Sequence, residues 1–169
     1  MLLRSLSTIY IFNNEEILLI KRVGSKLFSS DLWCGVGGHF ENDELNNPKA
    51  CIIRELFEET SLKESDINDL TLKYITIRKK DNEIRQQYIY FANLLNKAAT
   101  LSECNEGELG WVSISEINKL KMSYTNTQCL EHYFLTNNSD NLIYTGAVMV
   151  EENNPKMIFT PLQDFDTSY

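Results

Sequence analysis

The sequence predicts an α+β fold, a mixed α/β sandwich in which a sheet packs against helices, on three observations. The chain opens with an alternating run of β-branched and aromatic residues that reads as a hairpin. One strongly signalled helix begins at Asn47-Pro48. More strands, further helices and a last hairpin follow, so the order is not a regular βαβ repeat.

Taken in order, Ser5 to Phe12 alternates, Asn13-Asn14-Glu15 is a turn signal, and Ile17 to Arg22 is a second apolar strand. Gly24 to Asp31 reads as a polar loop. Leu32 to Phe40 carries Gly35, Gly37 and Gly38, which predicts irregular or closely approached backbone. The helix runs from Pro48 to about Leu62, with Asn47 as its cap. Leu70 to Arg78 and Gln86 to Leu95 pair as a hairpin across the charged turn Lys79 to Arg85. Leu109 to Ser113 is a short strand, and Ser115 to Leu120 and Thr127 to Leu135 are helical. Leu142 to Val150 and Lys156 to Leu162 form the last hairpin, turning at Glu151 to Pro155.

No linker divides the 169 residues, so one domain over 1–169 is expected, with 164–169 as a tail. The formal net charge of -8 argues against a broad grip on polymeric nucleic acid, which needs clustered Lys and Arg. Cys34, Cys51, Cys104 and Cys129 lack zinc-like spacing and read as reduced thiols of a cytoplasmic protein. No signal peptide and no membrane span are expected.

The chemistry concentrates in Gly37 to Leu62, GGHFENDELNNPKACIIRELFEETSL. At about 100° per residue, Glu55, Glu58 and Glu59 fall on one helix face, and Ile53, Leu56 and Phe57 centre roughly 160° away. One side should pack on the sheet and the other present three carboxylates. Like charges at these spacings destabilise a helix by about 0.2–0.5 kcal/mol per pair, so something should neutralise them. Oxygen ligands of this kind suit Mg²⁺ or Mn²⁺. Arg54 can reach Glu58, and Glu44 can approach Arg54 or a metal. A solvated acidic face is the plain alternative.

The frame around these acids resembles the Nudix box, G-x5-E-x7-R-E-U-x-E-E-x-G-U with U bulky and aliphatic. Gly38, Glu44, Arg54, Glu55, Leu56, Glu58, Glu59 and Leu62 match it. Two departures occur. Nine residues rather than seven separate Glu44 from Arg54, and the surplus fits in Leu45 to Asn47, ahead of the helix. Ser61 replaces the glycine that normally ends the helix in a left-handed conformation. The preceding hairpin, the two following strands and the Glu106 to Val112 run also look like the family.

The resemblance implies a Nudix fold, a mixed sheet sandwiched between helices, and a hydrolase that cleaves a nucleoside diphosphate linked to a group X. It implies that Glu58 and Glu59 ligate metal, and that Glu55 ligates metal, serves as general base, or both. Gly38 would offer its carbonyl to metal, Arg54 would orient the glutamates, and Glu44 would support them. Glu106 and Glu108 are candidates for a further acid. Substrate stacking would fall to Trp33, Trp111 and Phe28, each with core packing as its alternative, and His39 could touch phosphate. His132 reads as packing.

Within the family, the size and the Glu106 to Val112 run look most like the 8-oxo-dGTP diphosphatases, which take a nucleoside triphosphate to monophosphate and pyrophosphate. Cys34 stands where one group of these enzymes has a purine-reading Asn, and Ser123 to Asn126 contains no acid. ADP-ribose or another nucleotide sugar is the alternative substrate, although Thr76 to Lys80 lacks the proline of the ADP-ribose branch. A nucleotide-binding regulator without turnover is the alternative of another class, and an acidic helix meeting a basic protein partner is a third. The resemblance also allows a homodimer.

Overall fold

The N-terminal alternation does build a hairpin. β1 (Leu2–Asn13) pairs antiparallel with β2 (Glu16–Arg22), and Asn14 takes the turn with φ 57°. In this computed structural model, residues 1–22, 32–96, 100–101, 104, 106–136 and 140–164 are described. The predicted loop 24–31, with Phe28, lies outside them.

β3 (Leu32–Cys34) pairs with the end of β2 beyond its contact with β1, and the glycine-bearing segment after it runs antiparallel alongside β1 through bridges at Val36 and His39. α1 (Pro48–Thr60) follows. β4 (Ile67–Lys80) and β5 (Glu83–Leu94) are longer than the alternation suggests. The charged stretch Lys79 to Arg85 is mostly paired strand, and the turn shrinks to Asp81 and Asn82. The reason is β1, which lies parallel to β5 from Leu2 through Phe12 and supplies partners for those charged positions.

β6 (Glu108–Ser113) pairs with β2. The helix expected at Ser115 to Leu120 is a 3-10 turn, Ile114–Lys119. α2 (Tyr124–Leu135) starts three residues before the expected Thr127, because Ser123 accepts from the Asn126 N–H and caps it. β7 (Tyr144–Glu151) and β8 (Asn154–Pro161) close the chain as a hairpin, with β7 parallel to β4. Among the described residues eight strands form one mixed sheet ordered β3-β2-β1-β5-β4-β7-β8, with β6 also on β2.

Period-two alternation sends side chains to two cores. Ile9, Ile11, Leu18 and Ile20 pack with Ile52 and Leu56 of α1. Tyr10, Ile17, Leu19 and Phe91 pack with Leu130 and Tyr133 of α2. The sheet is therefore sandwiched between the two helices, as expected. The C-terminal hairpin is tied on by polar contacts. Lys73, buried on β4, donates to the carboxylate and carbonyl of Asp140, and Tyr144 donates to the same carboxylate at 2.7 Å. His132 packs against Tyr144 and Phe159 and hydrogen-bonds Tyr74, a packing role. All four cysteines are free. No helix among the described residues is long and apolar enough to cross a membrane.

Candidate active site

α1 starts and stops where its local chemistry dictates. The Asn47 side chain accepts from the Ala50 N–H at 3.1 Å, and Pro48 occupies the first helical position. Ser61 adopts the left-handed conformation, φ 63° and ψ 5°, and its N–H closes the helix on the Phe57 carbonyl. A residue with a Cβ pays roughly 1–2 kcal/mol there. The longer spacer is also absorbed as expected. Residues 44–47 form a turn in which Asn47 N–H donates to the Glu44 carbonyl at 2.7 Å, and Leu45 projects into solvent.

The helix faces differ from the simple wheel. The buried side of α1 is Cys51, Ile52, Glu55, Leu56, Glu59 and Thr60, whereas Phe57 is 52% exposed. Glu55 and Glu59 thus lie on the sheet-facing side, and Glu58 alone points outward. The glycine segment is responsible. It runs over β1 beside α1, and its Gly37 N–H donates to Glu59 Oε2 at 2.6 Å. That contact rewards burial of an acid which periodicity alone would leave in water.

Two arginines organise the carboxylates. Arg54 grips Glu44 with two bonds of 2.8 and 2.9 Å, and reaches Glu55 at 2.8 Å and Glu58 at 2.9 Å. It also donates to the His39 carbonyl at 3.0 Å. This fork holds the buried Glu44 carboxyl down at about 2. Arg22, at the end of β2, bonds Glu106 at 2.8 Å and the Gly37 carbonyl at 3.3 Å, and stands 3.6 Å from Glu59. Sequence reasoning passed over Arg22; its only signal was a lone basic residue ending an apolar strand. Glu106 joins the cluster through it, while Glu108 is exposed at the start of β6, opposite Lys21 rather than Arg22.

Five carboxylates therefore share two guanidiniums, and the shortfall falls on the deepest acid. Glu59 is 4% exposed and its Oε1 accepts no hydrogen bond. Burial pushes its carboxyl up to about 8, against the Gly37 N–H and Arg22, which favour the charged form. Burial also raises Glu55, partly offset by Arg54. Among the described residues no three acids, histidines or cysteines stand close enough together to hold a metal ion as they are placed. The donor set is nonetheless all oxygen, negatively charged and short of cations, which fits Mg²⁺ or Mn²⁺.

The Glu59 shift predicts a pH signature without metal. Its folded pKa lies above the ordinary 4.5, so the folded chain keeps a proton that the unfolded chain has released. Stability from this group is full below about 4.5 and is lost as pH rises to about 8. Glu59→Gln lacks the loss. In chelator, calorimetry should find the variant equal to wild type at pH 4.5 but melting higher at pH 9, by roughly 5 °C or more. Parallel melting curves across that range would refute the assigned burial.

The glycines provide room. Gly37 has φ 142°, and a Cβ there would collide with the Ser7 carbonyl of β1. At Gly38 a Cβ would meet the Glu55 carboxylate at 2.5 Å. The Gly38 carbonyl accepts from Ser7 N–H at 3.0 Å and, weakly, from the Cys51 thiol at 3.9 Å, a donor it shares with the His39 carbonyl. Gly38→Ala should fold, because the obstructed atoms end a flexible side chain. Displacement of Glu55 should weaken Mg²⁺ binding, by calorimetric titration, about tenfold. Unchanged affinity would remove Glu55 from the ligand set.

The two tryptophans do not share a site. Trp33 stands opposite Lys21 and packs with the α2-side core, whereas Trp111 stands opposite Leu18 and packs with the α1-side core. They lie on opposite faces of the sheet, so they cannot sandwich one base. Trp33 is half-buried, and its backbone N–H donates to the Lys121 carbonyl. His39 is exposed, yet partial desolvation of its ring, with nearby Arg4, Arg85 and Arg22, lowers its pKa, which favours the neutral imidazole.

Comparison with known proteins gives a consistent picture. A family model described as the NUDIX domain matches residues 1–133. The chain resembles the crystal structure of a MutT mutator protein from Bacillus halodurans at TM-score 0.68 and 15% identity, covering 92% of this chain and 97% of that one. It resembles a MutT protein from Methanosarcina mazei Go1 at TM-score 0.64 and 19% identity, covering 82% and 97%. It also resembles the NUDIX domain of Shewanella oneidensis NrtR, crystallised with ADP ribose, at TM-score 0.58 and 15% identity, covering 80% and 88%. At these identities the likeness is one of fold.

Proposed function

Because the chain belongs to the Nudix family of hydrolases, we propose that its glutamate cluster holds Mg²⁺ or Mn²⁺ and hydrolyses a nucleoside triphosphate to its monophosphate and pyrophosphate. The observation that carries the reading is the buried Glu59, whose Oε1 lacks a hydrogen bond beside a glycine segment shaped around Glu55. Glu55, Glu58 and Glu59 would be the ligands, with the Gly38 carbonyl as a further donor. When bound, such a cation offsets diphosphate charge and acidifies water.

The protein's own part is orientation and proton handling. Water oxygen bonds to phosphorus as the bridging P–O bond breaks, and the water proton must go to a nearby base. Glu55 is our candidate, since burial has already raised its proton affinity. Arg54 Nη1 donates to both the Glu55 and the Glu58 carboxylate and so holds them together. Glu44 fixes Arg54. Glu106 is the supplementary acid of choice over Glu108, because Arg22 links it to Glu59.

The triphosphate preference is supported by the match to two MutT structures over most of their length. Oxidised guanine nucleotides are the finer candidate. ADP-ribose is the second reading, favoured by the ADP ribose bound to the NrtR domain. The deciding assay incubates the protein and Mg²⁺ with dNTPs, 8-oxo-dGTP, ADP-ribose and dinucleoside polyphosphates. Pyrophosphate plus a monophosphate supports the proposal, and AMP plus ribose 5-phosphate supports the alternative. Tight nucleotide binding with no products from any of them would point to a regulator.

A further inference from the structure

Three adjacent strands each carry an arginine at one register level. Arg4 of β1 stands opposite Arg85 of β5, which stands opposite Arg78 of β4. Residues in register share a face of the sheet. That face is the α2 side, because Gln87, two positions on from Arg85, bonds Thr8 Oγ1 at 2.8 Å and Asn126 Oδ1 of α2 at 3.3 Å.

Like charges directly opposite one another destabilise a sheet, and this row sits in a chain of net charge -8. One carboxylate answers it. Glu83 takes Arg4 on Oε1 at 2.9 Å and Arg85 on Oε2 at 3.0 Å. Among the described residues no carboxylate pairs with the half-buried Arg78, whose pKa is lowered by burial and by Arg85.

α2 adds to the positive field. Its first turn lies over Gln87 through Asn126, and further along Tyr133 stacks on Phe91 with ring centroids 3.8 Å apart. The helix thus runs away from the arginine level, and its positive N-terminal end is directed toward it. The row lies on the face of the sheet opposite α1 and its glutamates, and its β1 end is next to the loop that leaves Gly38. The loop leaving Gly38 pairs with β1 at Leu6 through His39, and Phe40 N–H donates to the Ser5 carbonyl at 3.1 Å. Arg4 is the next residue along β1.

We infer that Arg4, Arg85 and Arg78 form an anion-binding row that takes a phosphate carried by the ligand, separate from the diphosphate held at the glutamates. Planar guanidinium forks match phosphate oxygens, and an incoming dianion relieves the repulsion among them. The anion site stands on the row itself; its assignment to a ligand-borne phosphate rests on the hydrolase reading.

The test uses the full chain without added metal, and Arg78→Met, which keeps the aliphatic bulk. The probes are inorganic phosphate against chloride at matched ionic strength, and adenosine 3′,5′-bisphosphate against AMP. Phosphate should raise the wild-type melting temperature by several degrees and leave Arg78→Met unmoved. In chloride the variant should melt at or above wild type, since a like-charge contact is gone. The bisphosphate should bind wild type about tenfold more tightly than AMP, an advantage the variant loses. Equal responses of both proteins to both probes would overturn the site. A phosphate response without a bisphosphate advantage would overturn its assignment to a ligand-borne group. Arg78→Gln gives the same comparison if the Met variant aggregates. Neither readout involves turnover, so failure here is distinguishable from failure to find a hydrolysed substrate.

Discussion

Glu59→Gln is expected to lower kcat by about a thousandfold, the scale on which metal and proton-transfer machinery contributes, with circular dichroism unchanged. The amide is isosteric and its oxygen can still accept the Gly37 N–H, which the carboxylate takes at 2.6 Å. What disappears is the capacity to carry negative charge at Oε1, the atom with no hydrogen bond. Mg²⁺ titration should weaken in parallel with activity. Turnover at the wild-type rate by a clean preparation would end the assignment of Glu59 as a ligand.

Arg54→Met is expected to injure both stability and activity. It leaves Glu44, 6% exposed, with no cation in place of its two-bond fork. Stranding a buried charge in this way costs about 3 kcal/mol or more, and so roughly 6–12 °C in melting temperature for a chain of this size. The Glu44 carboxyl now sits at about 2, so its contribution is present above 4.5 and is lost as pH falls toward 2. The variant should lose that acid-side slope. Activity should fall about a hundredfold, because Glu55 and Glu58 lose a shared donor. Adding Glu44→Gln should restore most of the melting temperature and little of the activity, a coupling that separates the two roles. Arg54→Lys should rescue neither, since an ammonium cannot make the fork. An Arg54→Met protein that melts like wild type would disprove the buried pair.

The features visible in the sequence are those set by near neighbours. The Asn47-Pro48 start, the left-handed Ser61 and the turn that absorbs the longer spacer each depend on a few adjacent residues. The Arg54–Glu58 pair follows from helical spacing alone. Other features were hidden because distant pairing decides them. Glu59 is buried by a segment 22 positions earlier in the chain. Arg22 meets Glu59 and Glu106 only after β2 is placed beside β6 and the glycine segment. Trp33 and Trp111 part company because their partners on β2, Lys21 and Leu18, project to opposite sides. The same holds for the arginine row, which exists only once β1 lies parallel to β5.

The pairing of β7 with β4 has a further implication. The matched family region ends at residue 133, so the closing hairpin lies wholly beyond it. Shortening the chain to that limit would bare the outer hydrogen-bonding rim of β4 and remove both Asp140 and Tyr144 from Lys73. An unguarded rim of this kind templates strand-by-strand growth between molecules. The hairpin covers that rim and moves the edge of the sheet to β8, whose Pro155 and Pro161 carry no N–H to offer a further strand.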